Sequence, residues 1–594
     1  MIRTTFLSIF LLFASVCMAV PAHKGWHVYT QADGTVIELR LVGDEHFHYY
    51  LTRDDVPVVD DDDAFCYARV ENSLLVSSGM LAHEATQRTM EEKRFVGTVK
   101  TTVRPTFARQ NPIKRKMPKM KKNRFIGSQK GLIILANFSD KFFEGYTEET
   151  ADSVCLAYQK LANMPGYTNE WGAIGSVHDY FLDQSHGLFD LSFDILGPVC
   201  LDKPYSYYGK NKYGSDIYAG QMIMECCEAV DSLIDFSVYD WDGDGVVEEV
   251  FVLYAGKGEA SGGGPNTIWP HMWTLEEARE YDSSVPESFV LDGVAINIYA
   301  CSNEIFSNGK PMGLGTVCHE FSHCLGLPDL YDTGDGANFG MGNWSILDNG
   351  TYNGPGGIGW VPAGFTSYER NYVGWMDLTE LKTDTIIENM IPLNEQDAAA
   401  YVIYNDNCPS EYYVLENRNQ SRWDAYLPSS GLLILHVDYD KDLWDNNYVN
   451  ATGYMYGNDH TRLTIFLASN SRYKDANAYP YFEKDSLTDS SVPQATLYNP
   501  NIDGEYFMHK PITGIARDES TAQISFRFQN LSAINDSTDV VRTIAYPMDN
   551  ANILYKMDGT VVGRMNDVNT SQLPAGIYLI RREDGKTEKY AIKR

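Results

Sequence analysis

Apolar and polar residues alternate in short runs near both ends of this chain; between them they fall into solid blocks or recur at helical spacing. Residues 35–42 and 46–51 alternate like two strands around a turn at Gly43-Asp44, so residues 24–95 read as a small unit of mixed helix and strand. Gly131-Leu132-Ile133-Ile134-Leu135-Ala136-Asn137-Phe138 is a solid apolar run, the pattern of a short buried strand, and residues 249–255 repeat it. Residues 177–182 read as helix and 191–195 as strand. Leu314, Val317, Phe321 and Leu325 then recur at helical spacing, which predicts a helix buried on one side. This mixed order predicts an α+β fold. Beyond about residue 380 the runs at 411–415, 431–437, 462–467 and 523–528 are strand-like and separated by turn residues, which predicts an all-β sandwich. A polar stretch at Asn535-Asp536-Ser537-Thr538 precedes a last, small β unit with hairpin character.

The helix built on Leu314, Val317, Phe321 and Leu325 carries the chain's strongest chemical signal. It reads Cys318-His319-Glu320-Phe321-Ser322-His323-Cys324-Leu325-Gly326-Leu327-Pro328-Asp329, which is H-E-x-x-H extended to H-E-x-x-H-x-x-G-x-x-D. Side chains four apart on a helix lie one turn above the other, so His319 and His323 can bind one Zn²⁺. Glu320 can act as general base on a water at that metal. Gly326 can end the helix in a left-handed conformation and so return Asp329 to the metal as a third, oxygen ligand. Tyr352 and His271 are candidates to stabilise the oxyanion of a peptide-bond cleavage, and either also reads as a core residue.

A second metal site is suggested by Asp240-Trp241-Asp242-Gly243-Asp244-Gly245 followed by Glu248. Oxygens from Asp240, Asp242, Asp244 and Glu248 around a glycine-permitted bend suit Ca²⁺. The twelfth position of an EF-hand loop would be Phe251, so this is not an EF-hand.

Composition and charge set the context. The chain has 594 residues and a formal net charge of −32, which repels phosphate backbones and excludes nucleic acid as an expected partner. Arg3, the apolar run from Phe6 to Val16, and small residues up to Ala19 read as a secretory signal over residues 1–19. No later run is long enough to span a bilayer. The ten cysteines form no C-x-x-C pair, so buried free thiols are expected rather than a disulfide framework. The tract Pro112-Ile113-Lys114-Arg115-Lys116-Met117-Pro118-Lys119-Met120-Lys121-Lys122-Asn123-Arg124 is basic and broken by proline in an otherwise acidic chain. It reads as a linker open to a Lys/Arg-specific protease.

Several further motifs bear a family resemblance. They are Ser176-Val177-His178-Asp179-Tyr180-Phe181 with Gln184-Ser185-His186-Gly187, the extended metal motif, and Gly342-Asn343-Trp344-Ser345-Ile346-Leu347. Tyr368-Glu369-Arg370 with Gly374-Trp375, and Tyr413-Val414-Leu415-Glu416-Asn417-Arg418 with Gly431-Leu432-Leu433, complete the set. Over residues 130–530 the chain resembles the immune inhibitor A family of secreted zinc metalloproteases. The resemblance implies a metzincin-like catalytic domain, an N-terminal prodomain and endopeptidase activity on protein or peptide substrates. It departs in the turn beneath the zinc, where Ser345 and Leu347 replace the family's Asp and Met; Leu is near-isosteric with Met. The last unit resembles a type IX secretion sorting domain through Ile553-Leu554-Tyr555, Asp558-Gly559, Leu573-Pro574-Ala575-Gly576-Ile577-Tyr578-Leu579-Ile580 and the basic Lys593-Arg594.

The expected organisation is therefore a signal (1–19), a prodomain with a basic activation linker (20–124), a catalytic domain (125–378), a β-sandwich (379–535) and a sorting domain (536–594). The expected product is a secreted or cell-surface monomeric zymogen, with secretion machinery as its partner. Asp44 and Cys66 are the candidate latency residues, Cys66 as a thiolate ligand. The competing reading is a surface adhesin whose metal site is not catalytic; an intact Glu320 opposes it.

Overall fold

The computed structural model describes residues 18–102, 125–529 and four strands beyond 552, apart from 24, 32, 45–46, 62–63, 72–73, 213–214, 335 and 472–475. The basic linker, most of the signal stretch, the polar stretch near 535 and Lys593-Arg594 lie outside the described residues. The chain divides into two compact units, Met1–Asn530 and Leu531–Arg594.

The first unit opens with a six-stranded antiparallel meander: His27–Thr30, Val36–Asp44, Phe47–Thr52, Pro57–Asp61, Ala64–Glu71 and Leu74–Leu81, neighbours in chain order. Ile37, Leu39 and Leu41 are buried while Glu38 and Arg40 between them are half-exposed, the alternation expected of a sheet with one face on a core. Gly43 and Asp44 do not form the expected turn; they extend the strand and pair with His48 and Phe47. Gly43 has φ 114°, a value open to glycine, which lets the ladder continue through it. Helix Met90–Thr102 packs against strand Ala64–Glu71.

The central sheet has the order Met18–Ala19, His271–Thr274, Ile298–Ile305, Val250–Lys257, Gly127–Asn137, Phe189–Cys200. Its last four strands are parallel, and His271–Thr274 runs antiparallel to Ile298–Ile305. Because both faces are covered there, the two central strands carry solid apolar runs, Leu132–Ala136 and Val250–Ala255. Ile133, Leu135, Phe251, Leu253 and Ala255 face a core shared with helices Val177–Gln184 and Gly315–Cys324. Leu132, Ile134, Val250, Val252 and Tyr254 face a second core with helix Ala219–Val230.

Two β-sheets follow. One orders Leu378–Glu380, Ala400–Tyr404, Glu411–Arg418, Gly431–Asp438 and Leu463–Phe466; the other orders Thr385–Met390, Ile524–Phe528 and Ile512–Arg517. Tyr413, Leu415, Leu432 and Ile434 of the first share a core with Ile387, Ile512, Ile524 and Phe526 of the second, a sandwich interior. The opposite face of the larger sheet is also covered. Val414, Leu433, Leu435 and Val437 join the core that holds Val317, Phe321, Trp344 and Leu347. All eight residues of Gly431–Asp438 are therefore buried. The fold is thus mixed α and β, with a parallel sheet and additional β-sheets.

In the second unit Val561–Arg564, Ile553–Lys556, Gly576–Arg581 and Thr587–Ile592 form an antiparallel sheet in that order. The nine described cysteines are all free thiols. Among the described residues no helix is long and apolar enough to cross a membrane.

Candidate active site

Helix Gly315–Cys324 is buried on every side, not on one. The turn Gly342–Leu347, the loop to Asp329 and an N-terminal segment close the face that the apolar pattern leaves open. Gly326 takes φ 86° just past the helix and donates its N–H to His323 O at 2.8 Å, the left-handed stop expected of it.

The returning loop delivers Asp329. His319 Nε2 and His323 Nε2 lie 3.1 Å apart, and Asp329 Oδ1 lies 3.3 and 3.4 Å from them. All three side chains are fully buried. Each imidazole is turned by its far nitrogen: His319 Nδ1 donates to Ile346 O at 2.7 Å and His323 Nδ1 to Leu327 O at 2.8 Å. This fixes the tautomer that leaves both Nε2 lone pairs facing Asp329. Burial holds the His323 imidazole below its ordinary range, which favours the neutral ligand form. Burial alone would raise the Asp329 carboxyl, but His323 and His319 beside it hold it well below the usual carboxylate range. Asp329 Oδ1 is buried and accepts no hydrogen bond. Two ring nitrogens and one unsatisfied carboxylate oxygen at a single point suit Zn²⁺ with a position left open. Glu320 offers an oxygen within 4.8 Å of the ring nitrogens of His319 and His323; Asp329 is not in that group.

The turn beneath this point supplies Ile346 O. Ser345 Oγ donates to Glu369 and accepts Leu347 N–H at 3.0 Å, while Leu347 is fully buried in the main core. Ser345 and Leu347 thus anchor and fill the turn where the resembled family has Asp and Met.

The chain's own residues 18–23 lie against this site. Met18–Ala19 pairs antiparallel with Met272 and His271. Val20 N–H donates to Glu320 Oε1 at 3.1 Å, Val20 O accepts from Trp269 Nε1 at 3.2 Å, and Pro21 O accepts from Tyr352 Oη at 3.0 Å. His23 N–H donates to Ala260 O at 2.9 Å and Ala22 N–H to Gly43 O at 3.1 Å. Tyr352 therefore faces the backbone carbonyl of Pro21. His271 contributes backbone to the edge strand, and its ring is held by Trp269 O at 2.6 Å and Tyr299 Oη at 3.3 Å. Nothing in the sequence marks Val20–His23 as a cleft ligand, because its contacts are mostly backbone.

The remaining candidates lie elsewhere. Cys66 is buried in strand Ala64–Glu71 of the N-terminal sheet, paired with Val59 and Leu81. Asp44 ends strand Val36–Asp44, and its side chain lies outside the described residues. Oxygens of Asp240, Asp242 and Glu248 come within 4.8 Å of one another; Asp244 is not in that group. Their loop is organised by backbone donors, with Asp244 N–H to Asp240 at 3.1 Å, Gly245 N–H to Asp240 at 2.9 Å and Trp241 N–H to Glu248 at 2.6 Å. Burial pushes the Glu248 carboxyl up to about 7.

A helix bearing two histidines and a glutamate, a returning aspartate and a parallel sheet with one antiparallel edge strand define the class, a metal-dependent hydrolase site. Residues 120–376 match the immune inhibitor A peptidase M6 catalytic domain. A pre-pro-metalloprotease PrtV of Vibrio cholerae serotype O1 (strain M66-2) is 28% identical over 236 residues, 35% of this chain and 24% of that protein. Immune inhibitor A of Bacillus thuringiensis subsp. alesti is 25% identical over 266 residues, 38% of this chain and 36% of that protein. A putative secreted metallopeptidase of Arthroderma benhamiae is 25% identical over 262 residues, again 38% and 36%. The matched part of the chain thus spans about a quarter to a third of the length of these relatives. Together the matches support a metalloprotease of the peptidase M6 family, and the family implies a metal, typically zinc.

Proposed function

We propose that this chain is a zinc-dependent endopeptidase of metzincin-like architecture, exported as a latent precursor. The observation that carries the reading is the convergence of His319, His323 and Asp329 beside a glutamate that already touches a peptide N–H. Zn²⁺ held by these three residues would supply a Lewis acid that polarises a scissile carbonyl and acidifies a water. Edge strand His271–Thr274 aligns the substrate as an antiparallel strand, as it does Met18–Ala19. Glu320 takes the proton of the attacking water and passes it to the leaving amine, the atom whose place Val20 N now holds. Tyr352 Oη donates to a substrate carbonyl along the cleft.

Latency follows from the same contacts. In this reading the block in the exported chain is the backbone of Val20–His23, which covers Glu320, Trp269 and Tyr352, rather than Asp44 or Cys66. A signal cut after Ala19 would place the new amino group of Val20 at Glu320. The N-terminal sheet holds the segment down through Gly43 and through His48, whose Nε2 lies 3.0 Å from Glu259 Oε1 in the protease region. A cut in the basic linker at residues 112–124 would then permit release. Asp240, Asp242 and Glu248 are proposed to bind Ca²⁺, and residues from 536 onward to address the protein to secretion machinery at the outer membrane.

The test is casein turnover by chain cut in the linker, with and without a zinc chelator. Chelator-sensitive turnover is expected, restored by Zn²⁺. A fully processed chain that holds stoichiometric zinc yet cleaves no protein substrate would favour the adhesin reading instead.

A further inference from the structure

We propose that Asn447, contributed by the β region 118 residues away in sequence, is a positioning residue that makes Asp329 a one-oxygen metal ligand. Asn447 grips Asp329 at two points. Its Oδ1 accepts the Asp329 backbone N–H at 2.8 Å, and its Nδ2 donates to Asp329 Oδ2 at 2.7 Å. The two partners demand opposite polarity, so the amide can be oriented only one way. Oδ2 is thereby occupied by a neutral donor, while Oδ1 accepts no hydrogen bond and faces the two imidazoles. A carboxylate held this way offers the metal one oxygen and keeps further coordination positions free for water and substrate.

Asn447 is itself held rigidly. It is fully buried, with φ 52°, a left-handed value that asparagine tolerates. Its N–H donates to Trp444 O at 3.1 Å, and its carbonyl accepts Thr333 Oγ1 at 2.6 Å. Three residues on, Asn450 Nδ2 donates to Leu330 O at 2.8 Å, bracing the residue after Asp329. The loop after helix Lys441–Asp445 thus reaches across from the sandwich to hold the third ligand. It follows that the metal centre is complete only when the β region is present.

The inference rests on the reading of His319, His323 and Asp329 as a zinc site, and the experiment separates the two. Full-length chain is compared with Asn447→Asp, which keeps an acceptor for the Asp329 N–H but removes the donor, and with Asn447→Ala. Zinc affinity is measured by chelator competition, the carboxylate mode by zinc K-edge absorption, and folding by the melting temperature of the metal-free protein. Asn450→Ser is the comparison for a loss of backbone bracing alone. Expected are a 10- to 100-fold weaker zinc affinity for both Asn447 variants, the range for a partner of a metal ligand. A second carboxylate oxygen is expected at the metal in Asn447→Ala, and unchanged coordination in Asn450→Ser. Native affinity and coordination in a folded Asn447→Asp chain would overturn the proposal. So would failure of both Asn447 variants to fold, which would make the residue structural. Absence of zinc from the unaltered chain would instead strike the metal-site reading itself.

Discussion

Glu320 is the residue on which the proposed chemistry turns. It touches the Val20 nitrogen, and in the proposed site it is the base beside the ligands His319, His323 and Asp329 rather than a fourth ligand. Glu320→Gln should therefore keep its zinc and lose about 10²–10⁴-fold in turnover, the usual worth of a general base; metal content and casein cleavage on one preparation decide it. His23 makes the second prediction at this scale. It packs edge-on against Phe306 and Tyr352, and burial, with His27 adding to it, lowers its imidazole to about 4. Because the folded value lies below the unfolded one near 6.5, the unfolded chain takes up the proton first as pH falls. Stability is thus fully present above about 6.5 and lost progressively toward pH 4, by at most about 1.4 kcal/mol per pH unit. Melting of the uncut chain between pH 7 and 4 should show this slope, and His23→Phe should flatten it. An identical slope in His23→Phe would assign the effect to other groups.

Among the elements, the segment Met18–His23 has the most direct consequence. If its backbone is what blocks the cleft, a free peptide of sequence Met-Ala-Val-Pro-Ala-His should inhibit the cut enzyme in competition with substrate. N-methylation at the valine, which deletes the donor to Glu320, should abolish that inhibition. Non-competitive behaviour would place the peptide elsewhere. The acidic loop makes a separate prediction. Ca²⁺ should raise the melting temperature at constant zinc by ligand linkage, and Asp240→Ala with Asp242→Ala should remove the rise. The helix Gly315–Cys324 and the apolar central strands were legible because burial on both faces imposes solid apolar runs, and because the proposed metal site would fix the spacing of His319, His323 and Asp329. The end of strand Val36–Asp44 was not, since Gly43 suits a turn and a continuing strand equally well. Asn447 left no local signal at all: one asparagine among many carries nothing that marks a partner 118 residues away.

For the whole molecule, the continuous core has a practical meaning. Val414, Leu433, Leu435 and Val437 share their packing with Phe321 and Leu347, and Arg418 reaches from the larger sheet to donate to Trp344 O at 3.3 Å and Gly364 O at 3.0 Å. Glu416 and Asp424 pair with that fully buried guanidinium. A chain ending at residue 378 would expose this face and strip the turn of its support, so it should be recovered unfolded and without zinc. A chain ending at residue 530 keeps the whole first unit. It should retain full zinc content and casein turnover after cutting, and it should accumulate in the periplasm if the last unit is a secretion address. Its normal appearance outside the cell would end that reading.

What the sequence determined by itself is what short-range physics fixes. Helical spacing sets the two histidines on one face, Gly326 reverses the chain, apolar runs declare the parallel strands, and turn residues divide the sandwich. What only the tertiary structure decided depends on contacts with no sequence period. These are the return of Asp329 Oδ1 to both imidazoles, the Asn447 clamp on Oδ2, the core common to protease and sandwich, and the backbone of Val20 on Glu320. Apart from proline, every residue carries the same backbone donor and acceptor, so which segment lies on Glu320 can be settled only by where the fold carries it.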